Sequence, residues 1–191
     1  MAYADAMKFF IIFSLLIFLG MVFYIDIFKF IIRSDYWAGL RVVPIVLFSY
    51  IFQGVFFNLS LWYKLTDKTM YGAWLSVLGT IITVVINVIF VPKYSYIAAA
   101  WAAFACYSTM MVVSYFWGQK HMPIKYDLKS IGIYTGIAMV LYVISLWINF
   151  EISIINYALK TGLLIAFLAL IVKRDMPLSK IPFVNKIFAR K

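Results

Sequence analysis

Long uncharged apolar stretches divide this chain into six, and its charges fall in the gaps between them. Val42–Tyr63, Thr69–Pro92, Tyr94–Gln119 and Ser130–Phe150 carry no charge at all. Phe9–Ile25 and Ile152–Val172 complete the set, the latter interrupted only by Lys160. A hydrocarbon core about 30 Å thick is crossed by about 20 apolar residues in a helix. The pattern therefore predicts an all-α, polytopic membrane protein: a six-transmembrane-helix bundle with spans over about 8–25, 42–63, 70–91, 95–117, 130–149 and 153–172. Residues 1–175 make one transmembrane lobe, and 176–191 a basic tail. In that tail Leu178, Ile181, Val184, Ile187 and Phe188 share one side at helical spacing. Two readings stay open for it, a short helix lying in the cytoplasmic interface and a frayed basic end.

The connections sharpen the layout. Asp26–Leu40 is the longest gap on its side, and Tyr36 and Trp37 in it suit a membrane–water boundary. Pro44 fits the first turn of the following helix, where its missing N–H costs nothing. Val91-Pro92-Lys93-Tyr94 reads as a very short turn, so spans three and four form an antiparallel hairpin. Gly118 reads as the stop of span four.

Composition agrees with a membrane class. The chain is 66% hydrophobic and 13% charged, against about a quarter charged in soluble domains. The net charge of +10 does not point to nucleic acid, because its cations sit in short gaps and in the tail, where a phosphate-rich membrane surface attracts them. Lys8, Lys64, Lys68, Lys120, Lys125, Lys129 and the tail cations lie on one side; Lys29, Arg33, Arg41 and Lys93 lie on the other. That is twelve against four, so the positive-inside rule predicts both termini in the cytoplasm.

Catalytic material is sparse. Cys106 is the single cysteine and reads as a buried inert thiol. His121 is the single histidine and reads as a solvated loop residue. Neither a multi-residue metal site nor a nucleophile–base arrangement is present in the sequence, and there is no glycine-rich phosphate loop. No catalytic residue, metal or cofactor is expected, and an enzyme is disfavoured. The sequon Asn58–Ser60 falls inside a span, which argues against glycosylation.

Polar residues within the spans are more telling, because lipid offers them no hydrogen bonds. Lys160 stands about two turns into span six by helical rise. It either snorkels outward along its stem or lines a water-filled cavity and meets an anionic substrate. Gln53, Asn58 and Asn87 either bond between helices or line that cavity. Gly72, Gly79 and the alanines from Ala98 to Ala105 allow close helix packing.

The segment Arg41–Lys68, RVVPIVLFSYIFQGVFFNLSLWYKLTDK, is followed by Tyr71-Gly72-Ala73, Gly79, Asn87, Val91-Pro92 and an alanine-rich helix opening. Over nearly its whole length the chain resembles the C-terminal half of bacterial polysaccharide flippases of the multidrug/oligosaccharidyl-lipid/polysaccharide exporter superfamily, nearest those of lipopolysaccharide or O-antigen biosynthesis. It departs from them at Ser95 and Ala98, where such proteins often have glycine. It also has six spans where they have two bundles of six or more. The resemblance implies one lobe of a two-lobed flippase in a bacterial cytoplasmic (inner) membrane, whose N-terminal lobe belongs to a longer chain or to a separate one. It implies a lipid-linked oligosaccharide, riding on an isoprenoid pyrophosphate, as the substrate moved by alternating access. Lys160 and Arg41 would then supply part of a cationic lumen, with Gln53, Asn58 and Asn87 as further lining candidates. With no carboxylate near mid-depth, an ion-coupling site is expected in the other lobe or nowhere. The alternatives are a drug or small-molecule exporter of the same superfamily, or a non-functional truncated fragment. The expected partners are membrane lipids, the substrate and the missing lobe, with no nucleic acid.

Overall fold

The computed structural model describes residues 2–147 and 153–175. Seven α-helices account for most of them: α1 Ala2–Phe23, α2 Val43–Leu59, α3 Leu61–Leu65, α4 Met70–Tyr94, α5 Tyr96–His121, α6 Leu128–Trp147 and α7 Ser153–Arg174. There is no strand among the described residues. Among the described residues six helical stretches are long and apolar enough to cross a membrane, one of them running through α2 and the short α3. The expected tail, residues 176–191, lies outside the described residues.

The spans agree with the apolar pattern, and their ends differ for local reasons. Helix α1 begins at Ala2 rather than Lys8, so Lys8 is a helix residue and not a flanking loop cation. Asp5 in its first turn suits the positive end of the helix dipole. The gap Asp26–Leu40 is itself coiled into two 3₁₀ helices, Ile25–Phe30 and Ser34–Val42. Pro44 stands in the first turn of α2 as expected. After α3, Asp67 takes a left-handed backbone with φ 54°, and the Lys68 N–H closes onto the Tyr63 carbonyl at 2.8 Å. Pro92 does not make the next turn. It sits inside the last turn of α4, where the helix is about to end, and the reversal falls at Ser95 with φ 51° and ψ −136°. Gly118 does not stop α5, which continues one more turn to His121.

The helices form two groups that share α1 and α2 as a seam. Helix α5 packs on α2 and α4, while α6 and α7 pack on α1. One core gathers Leu15, Leu19, Phe23, Tyr134, Ala138 and Phe167, all essentially inaccessible. The other joins Phe56, Trp62, Tyr63, Leu75, Cys106 and Met110. Ala98, Ala100 and Ala102 are buried, as close packing of α5 requires. Helix α4 is the outermost, with Trp74, Val77, Ile81, Val84, Val88 and Ile89 exposed. In lipid such a face is stable, since the surrounding tails are as apolar as the side chains.

Candidate functional site

Two polar centres occur, one toward each end of the bundle. The first lies at the end where the two 3₁₀ helices cap α1 and lead into α2. A cavity of about 700 Å³ opens there, lined by Asp26, Lys29, Trp37, Arg41, Ser145 and Lys160 among others. A second hollow of about 440 Å³ shares Asp26, Lys29, Trp37 and Lys160 and adds Asn156 and Tyr157. Arg41 and Lys160 are 119 positions apart in the sequence, and the fold brings them to one cavity.

Its electrostatics are one-sided. Three cations face a single carboxylate, and that carboxylate is engaged: Lys29 Nζ lies 2.5 Å from Asp26 Oδ1. Both partners are well exposed, so this pair adds little stability. Arg41 and Lys160 form no ion pair with a described residue. The arrangement therefore offers net positive charge to whatever enters. Its walls are held by neighbours that are themselves fixed. Thr161 donates to the Tyr157 carbonyl at 2.6 Å, so the Tyr24 hydroxyl is the donor in its 2.7 Å bond to Thr161. Tyr24 also stacks on Tyr157 at 6.1 Å between ring centres. Trp37 Nε1 donates to the Ile32 carbonyl at 3.0 Å, and the Tyr96 hydroxyl to the Ala38 carbonyl at 3.2 Å.

The other expected lining residues are not at this cavity. Gln53, Asn58 and Asn87 are half-buried and do not line it. The side-chain oxygens of Asn58 and Asn87 are buried and have no hydrogen-bond partner, so neither amide bonds between helices through its oxygen. Cys106 is a buried thiol, 3.4 Å from the Gly79 carbonyl, in keeping with the inert reading. His121 is not solvated loop. It ends α5, stacked on Trp62 at 5.1 Å and 13°. Its Nδ1 lies 2.9 Å from the Trp117 carbonyl. A carbonyl can only accept, so Nδ1 carries a proton, and Nε2 lies 3.4 Å from the Tyr71 hydroxyl.

The second centre was not foreseen from the sequence. At the opposite end, Lys8 of α1 pairs with Asp175, just past α7, and Tyr134 of α6 donates to the same carboxylate. Lys8 also lies 3.4 Å from Asp127, which caps α6 by accepting the Ser130 N–H at 3.1 Å. Arg174 sits over the Tyr134 ring, 5.7 Å from its centre. Burial alone would push the Asp175 carboxyl up, toward its protonated form. The hydrogen bonds from Lys8 and Tyr134, with the charges of Lys8 and Arg174, outweigh it and hold the carboxyl below the usual range. Asp127 is held low by the Ser130 hydroxyl and N–H and by Lys8. The sequence marked Lys8 only as a cation on one side of the membrane and singled out neither Asp127, Tyr134 nor Asp175, because no sequence pattern links positions so far apart.

Among the described residues no cluster of His, Cys, Asp or Glu could hold a metal ion. Compared with family models, characterised proteins and solved structures, the chain matches none. The six long apolar helices define a multi-pass α-helical membrane protein.

Proposed function

We propose that the chain is the C-terminal lobe of a transporter that flips lipid-linked oligosaccharide across the bacterial cytoplasmic membrane by alternating access. The observation that carries this reading is the cavity where Arg41, Lys29 and Lys160 outnumber the one carboxylate, Asp26. A cation on a span is costly, and it is kept where it faces water or an anion. Pyrophosphate is such an anion, and sugar hydroxyls need the same polar surroundings, since neither crosses hydrocarbon unaided. Under the positive-inside rule the cavity faces the outer leaflet and both termini the cytoplasm. The chemistry is binding and release rather than catalysis. The cation excess disfavours a cationic drug as cargo. A truncated, inactive fragment is the competing reading, and it predicts no specific binding at all.

The test is equilibrium binding of an isoprenyl pyrophosphate oligosaccharide to the purified protein, alongside restoration of surface polysaccharide in a flippase-deficient strain supplied with the companion lobe. Arg41→Ala and Lys160→Ala should each weaken binding about tenfold or more, equivalent to about 1.4 kcal/mol, and Lys160→Arg should retain it. Unchanged binding by Lys160→Ala in normally inserted protein would assign that residue to snorkelling. No binding by the unmodified chain and no restoration would sink the transport reading.

A further inference from the structure

Helices α5 and α6 follow one another in sequence, yet each packs elsewhere, α5 on α2 and α4 and α6 on α1. Between them runs a groove of about 470 Å³, floored by α1 and α2 and walled by α5 and α6. Ile11, Leu15, Val55, Met111, Phe116 and Ile131 represent its four sides, and its surface is almost wholly apolar. Water gains nothing there, because a water needs two or more polar partners to remain. In a bilayer the available filler is hydrocarbon.

One end of the groove meets the start of α6, just past the α5–α6 connection. Leu128 lines it and is followed directly by Lys129, and the α5–α6 connection also carries Lys120 and Lys125; all three lysines are exposed. That connection is held in shape by Gln119, whose amide donates to the Ile124 carbonyl at 2.7 Å. The neighbouring acid, Asp127, is already occupied by Lys8 and the Ser130 N–H, and none of the three lysines forms an ion pair with a described residue. We infer that this groove holds one hydrocarbon chain of an anionic phospholipid, with its phosphate against Lys125 and Lys129. The site is separate from the Arg41 and Lys160 cavity and does not depend on the transport reading.

Native mass spectrometry of the purified full chain, offered equal phosphatidylglycerol and phosphatidylcholine, reads this directly. Phosphatidylglycerol adducts should exceed phosphatidylcholine adducts about fivefold. Lys125→Gln with Lys129→Gln should abolish the preference, and Ile131→Trp, which fills the groove, should remove the adduct. Because overfilling can disturb folding, a phosphatidylglycerol carrying a benzophenone at its chain end gives a second reading on the unaltered protein. Its cross-links should fall on the groove faces of α1, α2, α5 and α6; cross-links confined to α4 would overturn the proposal. Equal adducts of both lipids, or an adduct that survives Ile131→Trp, would overturn it too. Displacement by isoprenyl pyrophosphate at much lower concentration would reassign the groove to transported lipid and likewise reject the phospholipid.

Discussion

The Tyr134 hydroxyl donates to the Asp175 carboxylate, pinning the second turn of α6 to the end of α7. Lys8 reaches the same carboxylate from α1, so one acidic side chain ties together three helices. Both Lys8 and Asp175 are mostly withdrawn from water, with side-chain exposures of 15% and 12%.

Asp175→Asn should therefore destabilise the protein by about 1.5–3 kcal/mol, the range for hydrogen bonds to charged groups. It leaves Lys8 with only its longer pairing to Asp127. Lys8→Met in an Asp175→Leu background should recover part of the loss, because removing both partners leaves no uncompensated charge. Thermal unfolding in detergent, arranged as a double-mutant cycle, measures the coupling. Additive single effects would mean the pair contributes nothing.

The same carboxylates set a pH dependence. Asp175 and Asp127 are both held below the usual range when folded, so the unfolded chain binds protons first, near the ordinary value of about 3.9. Their contribution is fully present above that value and is lost as pH falls through the lower folded values. The groups facing Asp175 are Lys8 from α1, Tyr134 from α6 and Arg174 from α7, with Asp127 beyond Lys8. The unfolding midpoint should stay level from pH 7 to about 5 and decline below about 4. Asp175→Asn should flatten that decline; an equally steep one would place the acid sensitivity elsewhere.

Two glycines at close helix contacts should respond differently to alanine. A Cβ at Gly118 would lie 2.8 Å from the indole Cδ1 of Trp62, and Trp62 is only 2% exposed and donates to Ser114 at 3.4 Å. A ring so enclosed cannot yield, so Gly118→Ala should cost about 1–3 kcal/mol as overpacking does. At Gly79 the nearest atom is the sulfur of Met110, 2.5 Å away. A flexible thioether can move aside, and alanine gains about 0.5–1 kcal/mol in a helix. Gly79→Ala should be nearly neutral, and the difference between the two midpoints is the measurement.

Ser95 carries the turn between α4 and α5 at φ 51° and ψ −136°, where a side chain is strained and glycine is not. Ser95→Gly should stabilise the protein by about 1 kcal/mol, the lower range of such strain. A loss of stability would mean that the serine makes up for its backbone in some other way.

Much of the fold was legible because bilayer physics acts on composition over twenty residues at a time. Val42–Tyr63 and Tyr94–Gln119 announce themselves as spans whatever they pack against. Ends were less legible. Pro92 looked like a turn residue, but it lies inside α4, and the reversal falls three residues later at Ser95. The site divided in the same way. Lys160 stood out as a charge on an apolar run, and Arg41 through a resemblance. Lys8 was legible only as a cation on one side, and Tyr134 and Asp175 did not stand out, because their meaning lies in contacts across 167 and 41 positions. His121 was misread as solvated because its partners, Trp62 and Tyr71, come from other helices.

The long separation of Lys8 from Asp175 also bears on how the protein is made. Helix α1 is synthesised before α7, and the Asp175 carboxylate follows the α1 lysine by 167 residues. At about 5–20 residues per second, α1 waits for many seconds with a cation lacking its acidic partner. During that interval the lysine is free to hold its end of the helix at the lipid headgroups. Arrival of Asp175 then gives that lysine an internal partner, so the end of α7 fastens an end of α1 that was made long before it.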